Sequence, residues 1–481
     1  MHIVDLGIFA IYMIVMLGVG FFFLKRNKDT DDYYVGGRKM GSWHIGLSVV
    51  ATDVGGGFSI GLGGLGFTMG LSGSWMLFTG LIGAWLAAVV LIPKVAKLSA
   101  KHKFLTFPQL LGHFYNGHVA LLAGLISAIG YIGFTSSQIL AGAKLASASF
   151  VELDLQTALI IMGVIAIVYT VMGGMKAVIY TDTIQWIILM SGLIFIGIPL
   201  SYMAIGGYDA IVEVLPAEFL SFNNISWQQF VNWGITIIPI WFVGMTLYQR
   251  IYACKGEKEA KKAWFIAGVF EWPIMALMGV LLGLFARVGA EQGMFEALGF
   301  AQVADVDKEM GLPLLLRSIL PVGLMGLMMS AYFSAIMSTA DSCLMAASGN
   351  VLTDVLGRWL FAGKSDKAIL RSSQVLTLAI GVLALLLASY MQNVLELMLY
   401  SYSFMVSGLF VPVIAGLYSQ RKSSLAAFAS MLAGGLTTLG LILIDVELPL
   451  GLDANIYGIC TSLVVFIAVN AVRQKQKLEF A

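Results

Sequence analysis

Apolar runs of about 17 to 25 residues recur from one end of the chain to the other, separated by short polar connections, and each is long enough to cross a ~30 Å hydrocarbon layer as a helix. They fall at about 3–24, 44–67, 74–98, 118–147, 156–173, 178–205, 232–250, 264–289, 313–349, 370–391, 396–418, 424–443 and 451–473. The pattern predicts an all-α membrane protein of about thirteen transmembrane helices, with 1–481 forming a single transmembrane domain. The first run lacks a basic lead and a small-residue cleavage site, and Lys25, Arg26 and Lys28 follow it at once. It therefore reads as a retained helix and not as a signal peptide.

Composition agrees with this reading. At 59% hydrophobic and 11% charged residues, a chain of 481 carries more apolar surface than a soluble core of that length buries. Sorting the 28 Lys and Arg between alternate connections puts 24 on one side, Arg250 being grouped there with Lys255, Lys258, Lys261 and Lys262. Lys144, Arg287, Lys308 and Arg317 fall elsewhere. Basic residues near helix ends resist translocation, which predicts an outside N-terminus and a cytoplasmic C-terminus in the inner (plasma) membrane. Cys254, Cys343 and Cys460 are too scattered for a disulfide framework or a metal site. No catalytic spacing suggests an enzyme, and nothing points to nucleic acid or to an obligate protein partner.

Ionisable side chains inside the hydrocarbon region cost about 2.5 to 3.5 kcal/mol each, so their presence asks for a partner or a function. The candidates are Asp53, Asp182, Glu271, Asp341 and Glu396. With nearly every base assigned to the cytoplasmic rim, these acids have no obvious basic partner in the membrane, which suits a cation. For Glu271 and Glu396 a protonated or hydroxyl-bonded side chain is the plainer reading.

Two helices carry breaks in their pattern. The second contains Asp53 followed by Val54, Gly55, Gly56 and Gly57, and three glycines at about 1 kcal/mol each disfavour a continuous helix. A broken membrane helix frees carbonyls and amides that can line a cavity or coordinate an ion. Close helix packing through Gly57 and Gly61 is the competing explanation. The GxGxxG of Gly61, Gly63 and Gly66 carries no dinucleotide signal, because no βαβ pattern surrounds it. The seventh helix is interrupted by Pro239 and Gly244. Paired interruptions predict an inverted repeat, 44–205 and 232–418, with a leading helix 3–24 and two trailing helices in 424–473. In the ninth helix Ser338, Asp341 and Ser342 share one face, with Thr339 beside it, and offer the oxygens a hard cation prefers. Hydroxyls bonding back to their own helix would give the same sequence.

Taken in order, Asp31 to Arg38 (DDYYVGGR), Gly173-Gly174, Tyr180 to Gln185 (YTDTIQ), Gln249-Arg250 and the ninth-helix block resemble the sodium/solute symporter family of proline permeases, sugar symporters and choline transporters. The resemblance spans essentially the whole chain. It implies a leucine-transporter-like core of two inverted five-helix repeats with Na+ as coupling ion. It implies a principal sodium site of the carbonyls of Ala51, Val54 and Ala335 with the hydroxyls of Ser338 and Thr339. A possible second sodium site maps to Asp182, Ser338, Asp341 and Ser342, where Asp341 departs from the serine often found in the family. Asp53 matches an acid of the proline permease.

The expected function is sodium-coupled import of a small polar solute by alternating access. Asp53, Phe58, Gln138, Trp241 and Ser403, beside the break or midway along core helices, are the substrate candidates, with plain core packing the competing role for the last four. A proton-coupled carrier relaying through Asp53, Asp182 or Asp341 is the alternative, and a gated channel a more distant one.

Overall fold

The computed structural model describes residues 2–24, 30–150, 153–357, 365–420, 422–444 and 446–479, with side chains left out at 17, 20, 23, 24, 30, 32, 33, 54, 56–59, 172–177, 180, 366, 367 and 474–479. The side chains of Val54 and Phe58 of the predicted sites, and the bases Lys25, Arg26, Lys28, Arg358 and Lys364 altogether, thus lie outside what is described. Among those described, the secondary structure is helical, with a lone bridge between Met40 and Cys254.

The long helices, numbered in chain order, are α1 (Ile3–Leu24), α2 (Ser42–Met69), α3 (Trp75–Leu86, running on into Ile92–His102), α4 (Gly117–Ser149), α5 (Leu155–Val171), α6 (Thr181–Ala204) and α7 (Trp227–Val243, continued as Met245–Ala253). They go on with α8 (Glu257–Glu291), α9 (Leu324–Asn350), α10 (Asp366–Ala388), α11 (Val394–Tyr418), α12 (Ser424–Ile444) and α13 (Ala454–Glu479). Tyr169 of α5 and Thr181 of α6 are hydroxyl-bonded at 3.4 Å.

Eight helical stretches of the described residues are long and apolar enough to cross a membrane, or nine when the two parts of α7 count as one bent span. The expectation of thirteen spans goes beyond that count. Helix α9 is not among them for a physical reason: it carries Ser330, Ser334, Ser338, Thr339, Asp341, Ser342, Ser348 and Asn350, and every residue from Met328 to Asn350 is buried inside the bundle. It packs against α1, α2 and α4 and against the α5–α6 pair. Its start also differs from the predicted 313–349 run. A separate helix, Gly311–Ile319, ends before Pro321, and Gly323, at φ 88°, turns the chain into α9. Asp5 of α1 then accepts from the amides of Gly323 (2.6 Å) and Gly326 (2.8 Å), satisfying free N–H groups at the start of α9. The leading helix is thereby tied to the central one.

Two basic residues sorted to the rims are interior. Lys144 is buried, with its ammonium 2.6 Å from Asp307 and 2.7 Å from Glu309. Glu309 in turn accepts from the first amides of α11, Val394 (2.9 Å) and Leu395 (3.0 Å), so the segment after α8 clasps α4 to α11. Arg250, expected at the cytoplasmic rim, is fully buried.

Candidate cation and solute site

Both predicted interruptions are real breaks. In α2 Gly55 takes φ 36°, ψ −169°, a conformation that only glycine adopts without strain. The Thr339 hydroxyl of α9 lies 2.9 Å from the Ala51 carbonyl, one turn before the break. Thr339 Oγ1 is also 3.2 Å from the Ala335 carbonyl, and Ser338 Oγ is 3.1 Å from that same oxygen. A Cβ at Gly55 would collide with the Thr339 side chain, so the break nests directly on α9. Four of the five predicted principal-site residues, Ala51, Ala335, Ser338 and Thr339, thus converge as two carbonyls and two hydroxyls. That is an uncharged oxygen set suited to a hard monovalent cation. In α7 the chain bends by 42° at Gly244, and the Tyr131 hydroxyl of α4 accepts from the freed Thr246 amide at 3.1 Å.

The second predicted set is organised around a residue that the charge sorting placed at the rim. Arg250 Nη2 is 2.8 Å from Ser342 Oγ, 3.5 Å from Asp182 Oδ2 and bonded to Thr52 Oγ1, while Nε donates to the Ser48 carbonyl at 3.2 Å. Ser48 Oγ donates to Asp182 at 2.5 Å. A guanidinium therefore already stands at Asp182 and Ser342. Asp341 is held separately by the Thr170 hydroxyl of α5. Among the described residues no donor lies within hydrogen-bond distance of Asp182 Oδ1 or Asp341 Oδ2. The signal that could have flagged Arg250 was local: apolar or aromatic residues flank it on both sides, Leu247 and Tyr248 before, Ile251 and Tyr252 after.

The substrate candidates scatter more. Asp53 is buried, and Tyr402 of α11 donates to its Oδ1 at 3.3 Å. Glu271 is buried at the π-type turn Phe270–Met275 of α8, its Oε2 in the space that a Cβ on Gly80 would take. Trp241 is fully buried against Gly83 and Trp264. Gln138 bonds to its neighbour Ser137 at 3.2 Å. Ser403 lines a cavity of about 410 Å³ between α2 and α11, together with Gly61, Gly64, Glu309, Leu395 and Tyr400. Asp453, on the rim of that cavity, bonds to Asn232 at 3.0 Å, and burial holds its carboxyl above the ordinary carboxylate range.

Helices that cross the membrane, two of them broken beside a central polar helix, define a membrane carrier of the leucine-transporter-like fold. Residues 33–434 match the sodium:solute symporter family, and the chain belongs to that family. It is 28% identical over 486 residues to the osmoregulated proline transporter OpuE of Bacillus subtilis, covering 98% of this chain and 95% of that one. It is 25% identical to the sodium/glucose cotransporter of Vibrio parahaemolyticus, covering 96% and 89%. In fold it is similar to the substrate-bound outward-open state of a Na+-coupled sialic acid symporter, with a TM-score of 0.79 at 20% identity and 98% of both chains covered. It is also similar, at a TM-score of 0.56 and 13% identity over 94% and 96% of the chains, to Mhp1, a nucleobase-cation-symport-1 family transporter in a closed conformation.

Proposed function

We propose that the chain is a sodium-coupled symporter of the plasma membrane that imports a small polar solute by alternating access, its long helices being the spans and its basic rim facing the cytoplasm. The observation that carries this reading is the convergence of the Ala51 and Ala335 carbonyls with the Ser338 and Thr339 hydroxyls at the Gly55 break. Sodium carries one charge, and neutral oxygens suffice to replace its water shell. Entering between α2 and α9, the ion takes the place of the direct Thr339–Ala51 bond, with the Val54 carbonyl as a further ligand. It ties the broken helix to α9 and presets the solute pocket beside the break. The other group is assigned differently: Arg250 supplies the positive charge at Asp182 and Ser342, so one ion per cycle is the stoichiometry proposed.

The driving force suffices. At about 2.3 kcal/mol per charge per 100 mV and ~1.4 kcal/mol per tenfold ratio, one ion supplies roughly 4 kcal/mol, enough for nearly thousandfold accumulation. Proline and glucose transporters among the relatives leave the solute class open. The test is uptake into proteoliposomes of a labelled panel (proline, choline, betaine, sugars, carboxylates) with and without a sodium gradient, beside a Ser338→Ala/Thr339→Ala double variant. Sodium-driven uptake in the parent, lost in the variant, is expected. Uptake indifferent to sodium but driven by a pH gradient would replace this reading with proton coupling.

A further inference from the structure

Five basic side chains converge on one patch of the basic rim. Lys94 and Lys101 lie seven residues apart on the last turns of α3 and so share a face, and His102 follows Lys101. The ring of His102 stands 4.3 Å from that of His113, on the short helix Phe107–Phe114. Lys422, in the connection between α11 and α12, places its ammonium 4.5 Å over the ring of Phe114, the neighbour of His113. Lys94 lies 3.4 Å over the ring of Tyr418 at the end of α11 and donates to the Leu417 carbonyl at 2.9 Å.

Packing fixes these groups in place. A Cβ on Gly416 would run into the Phe114 ring, so this glycine lets the short helix lie against α11. The Tyr115 hydroxyl donates to the Pro412 carbonyl at 2.8 Å and that of Tyr418 to the Val90 carbonyl at 2.5 Å, which joins the ends of α3 and α11 to the short helix. Neighbouring bases are answered by acids. Arg38, which donates to the Phe104 carbonyl at 2.8 Å, pairs with Asp31 at 2.7 Å, and Glu257 meets Lys97 at 3.7 Å and Lys261 at 2.9 Å. Among the described residues no carboxylate stands within ion-pair distance of Lys94, Lys101, His102, His113 or Lys422. Burial, and after it the nearby His102, Lys422 and Lys101, hold the His113 imidazole below its ordinary value.

Like charges gathered at a water boundary repel unless a counter-ion joins them. The place favours a phosphate carried by a lipid. The patch closes a helix long and apolar enough to cross the membrane, and Val89 and Leu425, both exposed, lie within five residues of Lys94 and Lys422 on the membrane side. Ammonium and imidazole N–H groups donate to phosphate oxygens, while acyl chains lie against the apolar surface next to them. We propose that Lys94, Lys101, His102, His113 and Lys422 bind the phosphate headgroup of an anionic phospholipid. The site lies apart from the solute path, and the transport reading enters only in making the leaflet the cytoplasmic one.

Native mass spectrometry of the purified full-length protein in detergent, titrated with phosphatidylglycerol, phosphatidylcholine or inorganic phosphate, tests the site. The parent should hold phosphatidylglycerol at least about tenfold more tightly than phosphatidylcholine, and Lys101→Gln/Lys422→Gln should lose at least about tenfold of that affinity. Lys258→Gln/Lys262→Gln removes the same charge from exposed positions elsewhere on the rim and should leave binding within about twofold. Should the first pair fail to elute as a folded protein, Lys422→Gln alone decides, with an expected loss of about fivefold. Unchanged binding in the Lys101 and Lys422 variants overturns the assignment. So does an equal loss in both pairs, which would mean diffuse attraction to the whole rim, or displacement of the lipid by an equal concentration of inorganic phosphate, which would mean a free-anion site. Failed sodium-driven uptake with lipid binding intact would sink the symport reading alone.

Discussion

Two of the charged centres buried in the bundle are built in opposite ways. Around Arg250 a single guanidinium meets a carboxylate, three hydroxyls and two carbonyls, drawn from α2, α6, α9 and its own helix. Of the buried acids Asp53 and Glu271, Asp53 accepts from the Tyr402 hydroxyl, and among the described residues no donor reaches Glu271. A buried charge answered from within holds structure together. An acid without a base beside it is held by neutral donors or by its own proton. The difference separates a charge fastened by its surroundings from acids held without a counter-charge, although all are buried and ionisable.

Removing one partner from each centre should therefore move stability in opposite directions. The largest effect is expected for Arg250→Ala, which strips Asp182 of its counter-charge and costs about 3 to 5 kcal/mol, read as a drop in the unfolding temperature of detergent-purified protein. An unchanged melting curve would dissolve the contrast. Glu271→Gln replaces a buried acid that no donor reaches among the described residues with a neutral amide, and a gain of roughly 1.5 kcal/mol in the same assay is the expected sign and size. A loss there would mean that Glu271 is answered within the protein after all. Tyr402→Phe should have the smallest effect, a loss of about 1 kcal/mol for one hydrogen bond to Asp53.

Much of this architecture is legible along the chain, because a lipid solvent allows backbone polar groups few arrangements and writes them as long apolar runs. The break at Gly55 could be read because glycine clustering is a local signal. Thr339 could be placed only through the resemblance, since its contact with Ala51 joins positions 288 residues apart. Arg250 was misplaced for a definable reason. Counting bases by loop assumes that a base near a helix end lies in water, and the lysines at 255, 258, 261 and 262 lent Arg250 their address. Lys144 escaped in the same way, its partners Asp307 and Glu309 arriving on a segment beyond α8. The predicted helix 313–349 failed because hydropathy passes over a four-residue turn at Pro321 and Gly323 that interrupts the helix without interrupting apolarity.

The central claim is that sodium sits where the α2 break meets α9. Binding of radiolabelled sodium to purified protein immobilised on scintillation beads, with potassium as competitor, tests it without any substrate. The parent should bind sodium saturably, with potassium a poor competitor, and Ser338→Ala/Thr339→Ala should weaken that binding at least about tenfold, the loss of two ligand oxygens. Equal sodium binding in parent and variant would contradict the account and move the ion elsewhere in the molecule.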